Sequence, residues 1–205
     1  MFLLLLGGLA AAILILADMR SITVAKQKVL LRVYSLGPSQ GAVVEVGTSR
    51  SGQWPSRDGH STLLWAELCR RDNREFISID INRQHLERAR DALGPCPATL
   101  IEGDAIDVLP RLQYPIAVLY LDGADAPEQA LAQYHAAANN LLGHAVVVID
   151  DCHSYAMAGS EGKGTMLLPY LRSGGYHVTI EELRPGRPEK MGWAQRGDRN
   201  VPVTT

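Results

Sequence analysis

Five predominantly apolar runs each close on or near an acid: AVVEVG (42–47), FISID (76–80), ATLIEGD (98–104), IAVLYLD (116–122) and AVVVID (145–150). Apolar runs without regular polar alternation fit strands buried on both faces rather than strands with one wet face. Between and after them lie segments of helical periodicity: STLLWAELCRR (61–71), RQHLERARDAL (83–93), the short DVLPRL (107–112), PEQALAQYHAAANNLL (127–142) and TMLLPYLRSG (165–174). Strands alternating with helices specify right-handed βαβ units and a parallel sheet covered on both sides. YHVTIEEL (176–183) predicts a sixth strand, and MGWAQRG (191–197), reached through RPGRPEK, a seventh strand antiparallel to it. The expected fold is α/β, with a doubly wound, mostly parallel sheet and an antiparallel pair at its C-terminal end.

Open sheets of this kind bind ligands outside the carboxyl ends of their strands. That is where Glu45, Asp80, Asp104, Asp122 and Asp150 collect. In EVGTSRSG the glycines Gly47 and Gly52, with Thr48 between them, let backbone N–H groups approach a ligand, and the helix that follows favours an anion. Asp80, followed by Ile81, is placed to accept hydrogen bonds from a ribose diol, and IEGDA brings Asp104 and Ala105 to the third strand end. Together these predict a nucleoside-binding edge. The turn is not GxGxxG, and Tyr155 is followed four places on by Gly159 rather than Lys. Both departures argue against a nicotinamide-dependent dehydrogenase.

VVVIDDCH (146–153) raises a separate question, because Asp150 and Asp151 are adjacent carboxylates at the end of a core strand. Burying one carboxylate without a partner is costly, and a like-charged neighbour makes it worse. His153 is a candidate general base for an acceptor hydroxyl. Cys152 reads as a buried thiol, since no second Cys/His pair accompanies it. SYAMAGSEGKGT (154–165) is glycine-rich, but GKG replaces the GK[ST] of a phosphate loop. It reads instead as a lid over the acceptor site, with Lys163 reaching toward an anionic substrate.

In their order, EVGTSRSG, FISIDIN, IEGDAIDVLP, LYLDGAD and VVVIDD resemble the class I S-adenosylmethionine-dependent methyltransferases. The closest branch contains the catechol, caffeoyl-CoA and macrolide-sugar O-methyltransferases. The resemblance covers about residues 40 to 197 and implies a Rossmann-like seven-stranded sheet. It also implies S-adenosyl-L-methionine bound over the first three strand ends, by Glu45, Gly47, Thr48, Gly52, Asp80, Ile81, Asp104, Ala105 and Asp122. In the metal-dependent branch, an acid after strand four and two acid or amide residues after strand five hold Mg²⁺. Asp122, Asp150 and Asp151 match those three places. The implied reaction is methyl transfer to a hydroxyl of a small molecule with divalent-metal help, with Asp122 and His153 as catalytic residues. A metal-independent N- or O-methyltransferase, or a cofactor-binding module without turnover, stays open. The sequence departs from the pattern at 49–60, a longer first loop in which Gly52 or Gly59 could supply the second glycine and Trp54 packs or covers the cofactor. Asp125 stands where related sugar methyltransferases often carry His.

FLLLLGGLAAAILILA (2–17) carries no charge over 16 residues. As a helix it would rise about 24 Å, a little short of the ~30 Å hydrocarbon core. Lys and Arg follow it rather than precede it, which fits a membrane anchor with the rest of the chain on the cytoplasmic side. A buried helix or a homodimer contact is the alternative, in which case the chain is simply cytoplasmic. The expected organisation is therefore an apolar N-terminal helix (1–20), an amphipathic linker helix (21–38) and a catalytic domain (39–205). A net charge of −2, with both signs mixed along the chain, gives no nucleic-acid face, and the three unpaired cysteines suit a reducing compartment.

Overall fold

The computed structural model describes residues 24–50, 60–123, 126–153, 162–183 and 190–196. Residues 24–36 form helix α1. Thereafter strands and helices alternate: β1 (Ala42–Val46), α2 (His60–Arg71), β2 (Phe76–Asp80), α3 (Arg83–Leu93), β3 (Thr99–Glu102), α4 (Ala105–Val108), β4 (Ile116–Leu121), α5 (Pro127–Ala137), β5 (Leu141–Ile149), α6 (Gly164–Ser173), β6 (Tyr176–Glu182) and β7 (Lys190–Arg196). The seven strands lie in one sheet in the order β3-β2-β1-β4-β5-β7-β6. The first five are parallel, and β7 runs antiparallel to both its neighbours. This is the expected α/β fold. The sequence reading did not specify that β7 inserts between β5 and β6.

The sheet separates two apolar cores, as a strand with side chains alternating between faces requires. One holds Val44, Ile79, Leu119 and Ile149 against α5 and α6 residues such as Tyr134 and Leu167. The other holds Val43, Tyr120 and Val148 against α1 (Leu30, Val33) and α2 (Trp65, Leu68). Helix α1, expected as a linker, therefore packs on the sheet. Its residues Val29, Leu30, Val33 and Tyr34 are buried, and the Tyr34 hydroxyl donates to the Leu68 carbonyl at 3.1 Å.

Most element bounds match the periodicity within two residues. The largest difference lies where a helix expected to run to 142 meets a strand expected from 145. Helix α5 ends at Ala137, a single 3-10 turn spans Ala138–Asn140, and β5 begins at Leu141. Asn140 donates from Nδ2 to the Leu109 carbonyl at 2.8 Å, and Leu141 pairs with Ile116. A side-chain hydrogen bond and a strand partner thus end a helix that apolar periodicity alone would continue. The apolar segment 2–17 lies outside the described residues. Among the described residues no helix is long and apolar enough to cross a membrane.

Candidate active site

Strand register explains how the scattered acids meet. Ile79, Val46, Leu121 and Ile149 form a paired row across β2, β1, β4 and β5. One residue further on, at the carboxyl edge, stand Asp80, Gly47, Asp122 and Asp150. The ladder continues into that row through Gly47 N–H to Ile79 O (2.8 Å), Asp122 N–H to Val46 O (2.8 Å) and Asp150 N–H to Leu121 O (3.1 Å). Two residues back, Ser78, Glu45, Tyr120 and Val148 form the row on the same face, toward α1 and α2.

An open cleft lies above β1, β2 and β3. Gly47 and Gly123 form its floor. Gly47 has φ +88°, and a Cβ there would stand 2.8 Å from the backbone of Asp122 and Gly123. Only glycine lets these two strand ends approach so closely. Asp80 and Ile81 line one wall and Asp104 with Ala105 another; Ile81 is 74% exposed. Gln129 and Gln133 of α5 close the far side, and Gln133 is a residue the sequence reading missed. Its Oε1 is buried and has no hydrogen-bond partner among the described residues.

The loop behind the cleft is held by carboxylates. Asp80 Oδ2 accepts from the Thr48 N–H at 3.0 Å and lies 3.2 Å from His85 Nδ1, while Oδ1 accepts from the Asn82 N–H at 2.7 Å. Asp104 caps α4, its Oδ1 accepting from the Ile106 N–H at 2.9 Å. Glu45 and Thr48 do not line the cleft. Glu45 is wholly buried, and its Oε2 accepts from the hydroxyls of Thr62 and Ser78, each at 2.8 Å. Thr62 Oγ1 in turn accepts from the Ser49 N–H at 3.0 Å, which ties α2 to the β1 turn. Glu45 Oε1 has no partner among the described residues. Burial pushes the Glu45 carboxyl up to about 7, with the hydroxyl bonds only partly opposing it.

The second half of the edge is the acidic cluster. Oxygens of Asp122, Asp150 and Asp151 lie within 4.8 Å of one another. Asp151 sits in the left-handed region (φ +46°), turning the chain sharply after β5. Two lysines meet these acids. Lys26, from α1, pairs with Asp150 Oδ2, which also accepts from the Tyr120 hydroxyl at 2.8 Å. Lys163 donates to Asp122 Oδ1 at 2.8 Å. Burial opposes the charge on Asp150, but Lys26 foremost, with Lys163 and the Tyr120 hydroxyl, holds this carboxyl below its usual range. Asp122 is shifted the other way, by burial and by the charge of Asp150, with both lysines opposing. Two like charges in one site ionise in sequence, and the better-partnered one ionises first. Burial would lower both lysines, yet the acids outweigh it: Asp150 foremost at Lys26 and Asp122 at Lys163, so both stay charged.

The GKG motif has a role in this geometry. A Cβ at Gly162 would stand 2.5 Å from His153 Cα, and one at Gly164 would stand 2.8 Å from Cys152 Cβ. The two glycines let the chain close on the end of β5 and turn Lys163 inward. Neither lysine's partner is legible in the sequence, where Lys26 is one of the charges that follow the apolar segment and Lys163 is expected to reach a substrate. His153 is exposed, with Nδ1 3.5 Å from Cys152 Sγ. Cys152 is buried, and burial pushes its thiol up to about 12, so it is inert as a nucleophile. Gly52, Trp54, Gly59, Asp125 and residues 154–161 of the expected lid (154–165) lie outside the described residues.

A family model described as a methyltransferase domain matches residues 56–152. Over those residues the chain is similar to methyltransferase domains, and its seven-stranded sheet is the one that its motifs imply. It is 25% identical over 125 residues to the O-methyltransferase hkm8 of Aspergillus hancockii, a match covering 59% of this chain and 46% of that protein. The chain thus spans about half the length of that curated relative. Among solved structures it resembles cofactor-bound Rv0187 from MTB, with a TM-score of 0.62, 19% identity and 88% of each chain covered. It also resembles the O-methyltransferase TomG from Streptomyces achromogenes, in complex with SAM, with a TM-score of 0.61 and 18% identity over 84% of this chain and 79% of that one. At these identities the structural likeness establishes the fold.

Proposed function

We propose that this chain is an S-adenosylmethionine-dependent methyltransferase acting on a hydroxyl of a small molecule. The observation that carries the reading is a cleft lined by Gly47, Asp80, Asp104 and Gln133 that adjoins the acidic cluster along one sheet edge. The methyltransferase-domain match and the O-methyltransferase relative support it. The residues present fit the cofactor. Asp80 keeps acceptor capacity for a ribose diol, Ile81 offers an exposed apolar surface to a purine, and the Gln133 Oε1 lacks a donor that an exocyclic amine would supply. The bound cofactor supplies an electrophilic methyl group on a sulfonium. The chain's part is to hold an acceptor oxygen in line with that methyl and to take up its proton.

Asp122 adjoins the Gly123 floor, so the acceptor hydroxyl belongs beside the acidic cluster, with His153 at its exposed rim as the candidate base. Three carboxylates within 4.8 Å are a donor set that Mg²⁺ accepts. Against the metal-assisted version stands the pairing of two of them with lysines, which favours the metal-independent version. The net charge of −2, with both signs mixed along the sequence, favours a small acceptor over nucleic acid. Placement at the cytoplasmic face of a membrane, or a homodimer, rests on the apolar segment 2–17 alone.

Calorimetric titration of S-adenosylhomocysteine into the full chain tests the reading. The expected result is micromolar binding, about −8 kcal/mol, weakened at least tenfold by Asp80→Ala. Gln133→Leu is expected to leave the melting midpoint unchanged or raised, because it removes an unsatisfied buried carbonyl, while costing about tenfold in affinity. No binding by folded protein would overturn the proposal. Binding without turnover across a broad panel of hydroxyl acceptors would favour the binding-module alternative.

A further inference from the structure

The acidic edge carries its own cations. Asp150 is 3% exposed, and both its oxygens are engaged: Oδ2 by Lys26 and the Tyr120 hydroxyl, Oδ1 by the Asp151 N–H at 3.1 Å. Asp122 Oδ1 is engaged by Lys163, whose ammonium also lies 3.4 Å from the Asp122 carbonyl oxygen.

We propose that Lys26 and Lys163 are the resident cations of this centre, standing on Asp150 and Asp122 where a divalent ion would otherwise stand. The centre then works without a metal, and the N-terminal helix α1 is one of its walls.

Three observations support this. First, an ion bound by Asp122, Asp150 and Asp151 would have to share two of its three ligands with ammonium groups in direct contact. It would meet positive charge where Mg²⁺ requires near-octahedral oxygen donors. Second, both lysines are delivered by built features of the fold rather than by free surface chains. Lys26 rides on a helix anchored by Val29, Leu30 and Val33, and its ammonium also lies 5.7 Å from the Tyr120 ring centroid. Lys163 is 6% exposed and sits between two glycines packed against Cys152 and His153. Third, a buried carboxylate left without its ammonium would be an uncompensated charge, so the acids and lysines form one unit. Lys26 and Lys163 act as positioning residues. They fix the Asp122 and Asp150 carboxylates beside the cleft floor. What the centre is for rests on the methyltransferase reading; its charge balance does not.

The test is thermal melting of the full chain with Mg²⁺ or with a chelator, run beside S-adenosylhomocysteine titration under both conditions. A site with Kd near ~0.1 mM would be about a hundredfold saturated at ~10 mM Mg²⁺ and would raise the melting midpoint visibly. The expected result is that wild type shows neither a Mg²⁺-dependent shift nor a change in cofactor-product affinity. Lys26→Met/Lys163→Met is expected to melt lower and to gain a Mg²⁺-dependent rise, because the freed carboxylates then bind the ion. Lys26→Arg is expected to keep the wild-type response. If the double variant does not fold, Lys26→Met and Lys163→Met are read singly for the same gain. A Mg²⁺-dependent rise in wild type that Asp150→Asn abolishes would overturn the proposal. So would lysine variants as stable as wild type and indifferent to Mg²⁺, since the acids would then need no cation. Failure of the methyltransferase reading would show separately, as folded protein that ignores S-adenosylhomocysteine while the lysine variants still gain their response to the ion.

Discussion

Glu45 shows how one buried carboxyl can set a pH dependence. Its folded-state value of about 7 lies above the ordinary 4.5, so the folded chain holds a proton that the unfolded chain has released. Stability is therefore fully present below about pH 4.5 and falls as pH rises toward 7, by roughly 3 kcal/mol for a shift of this size. Glu45→Gln keeps an acceptor for Thr62 and Ser78 and removes the charge. The expected outcome is a melting midpoint above wild type at pH 8 and a flatter profile between pH 5 and 8, read by calorimetry across that range. An unchanged slope would show that the carboxyl titrates normally. At this scale the sequence placed Glu45 correctly as a strand-one acid. It could not say that the side chain turns into the protein and holds the β1 turn, because direction depends on packing against α2.

Among the elements, the β1 turn is the tightest constraint. Gly47 combines a positive φ with a Cβ position 2.8 Å from the Asp122 and Gly123 backbones. Gly47→Ala is expected to cost about 1–3 kcal/mol of stability from backbone strain alone. It should also weaken S-adenosylhomocysteine by tenfold or more, because the floor of the cleft must move; denaturant melts and calorimetry read the two effects. The α5–β5 boundary teaches the complementary lesson. Leucines at 141 and 142 continue the apolar pattern of the helix, and periodicity has no means of assigning them to a strand. Pairing of Leu141 with Ile116 and the Asn140 side-chain bond to the Leu109 carbonyl decide it.

Across the whole molecule, the sheet is a partition with a core on each face, and α1 completes one of them. Leu30 is 1% exposed within that core. Leu30→Ala is expected to destabilise the fold by about 2–5 kcal/mol, as for other leucines truncated in a packed interior. Chemical denaturation checks it. A loss below about 1 kcal/mol, the range of surface positions, would mean that α1 is only loosely attached. Docking of α1 also matters to the site, since this helix brings Lys26 to Asp150 over 124 residues of separation.

The sequence by itself determined the order of strands and helices, the parallel character of the sheet and the gathering of acids at its carboxyl edge. All three follow from apolar patterning and from the geometry of βαβ connections, which are local in the chain. Only the tertiary structure decided what those acids face. Strand register puts Asp80, Gly47, Asp122 and Asp150 in one row, and helix packing then brings a lysine to each of the last two acids. Such pairings carry no sequence signal. The attraction between an ammonium and a carboxylate depends on their distance in space, and chain spacing records nothing of it.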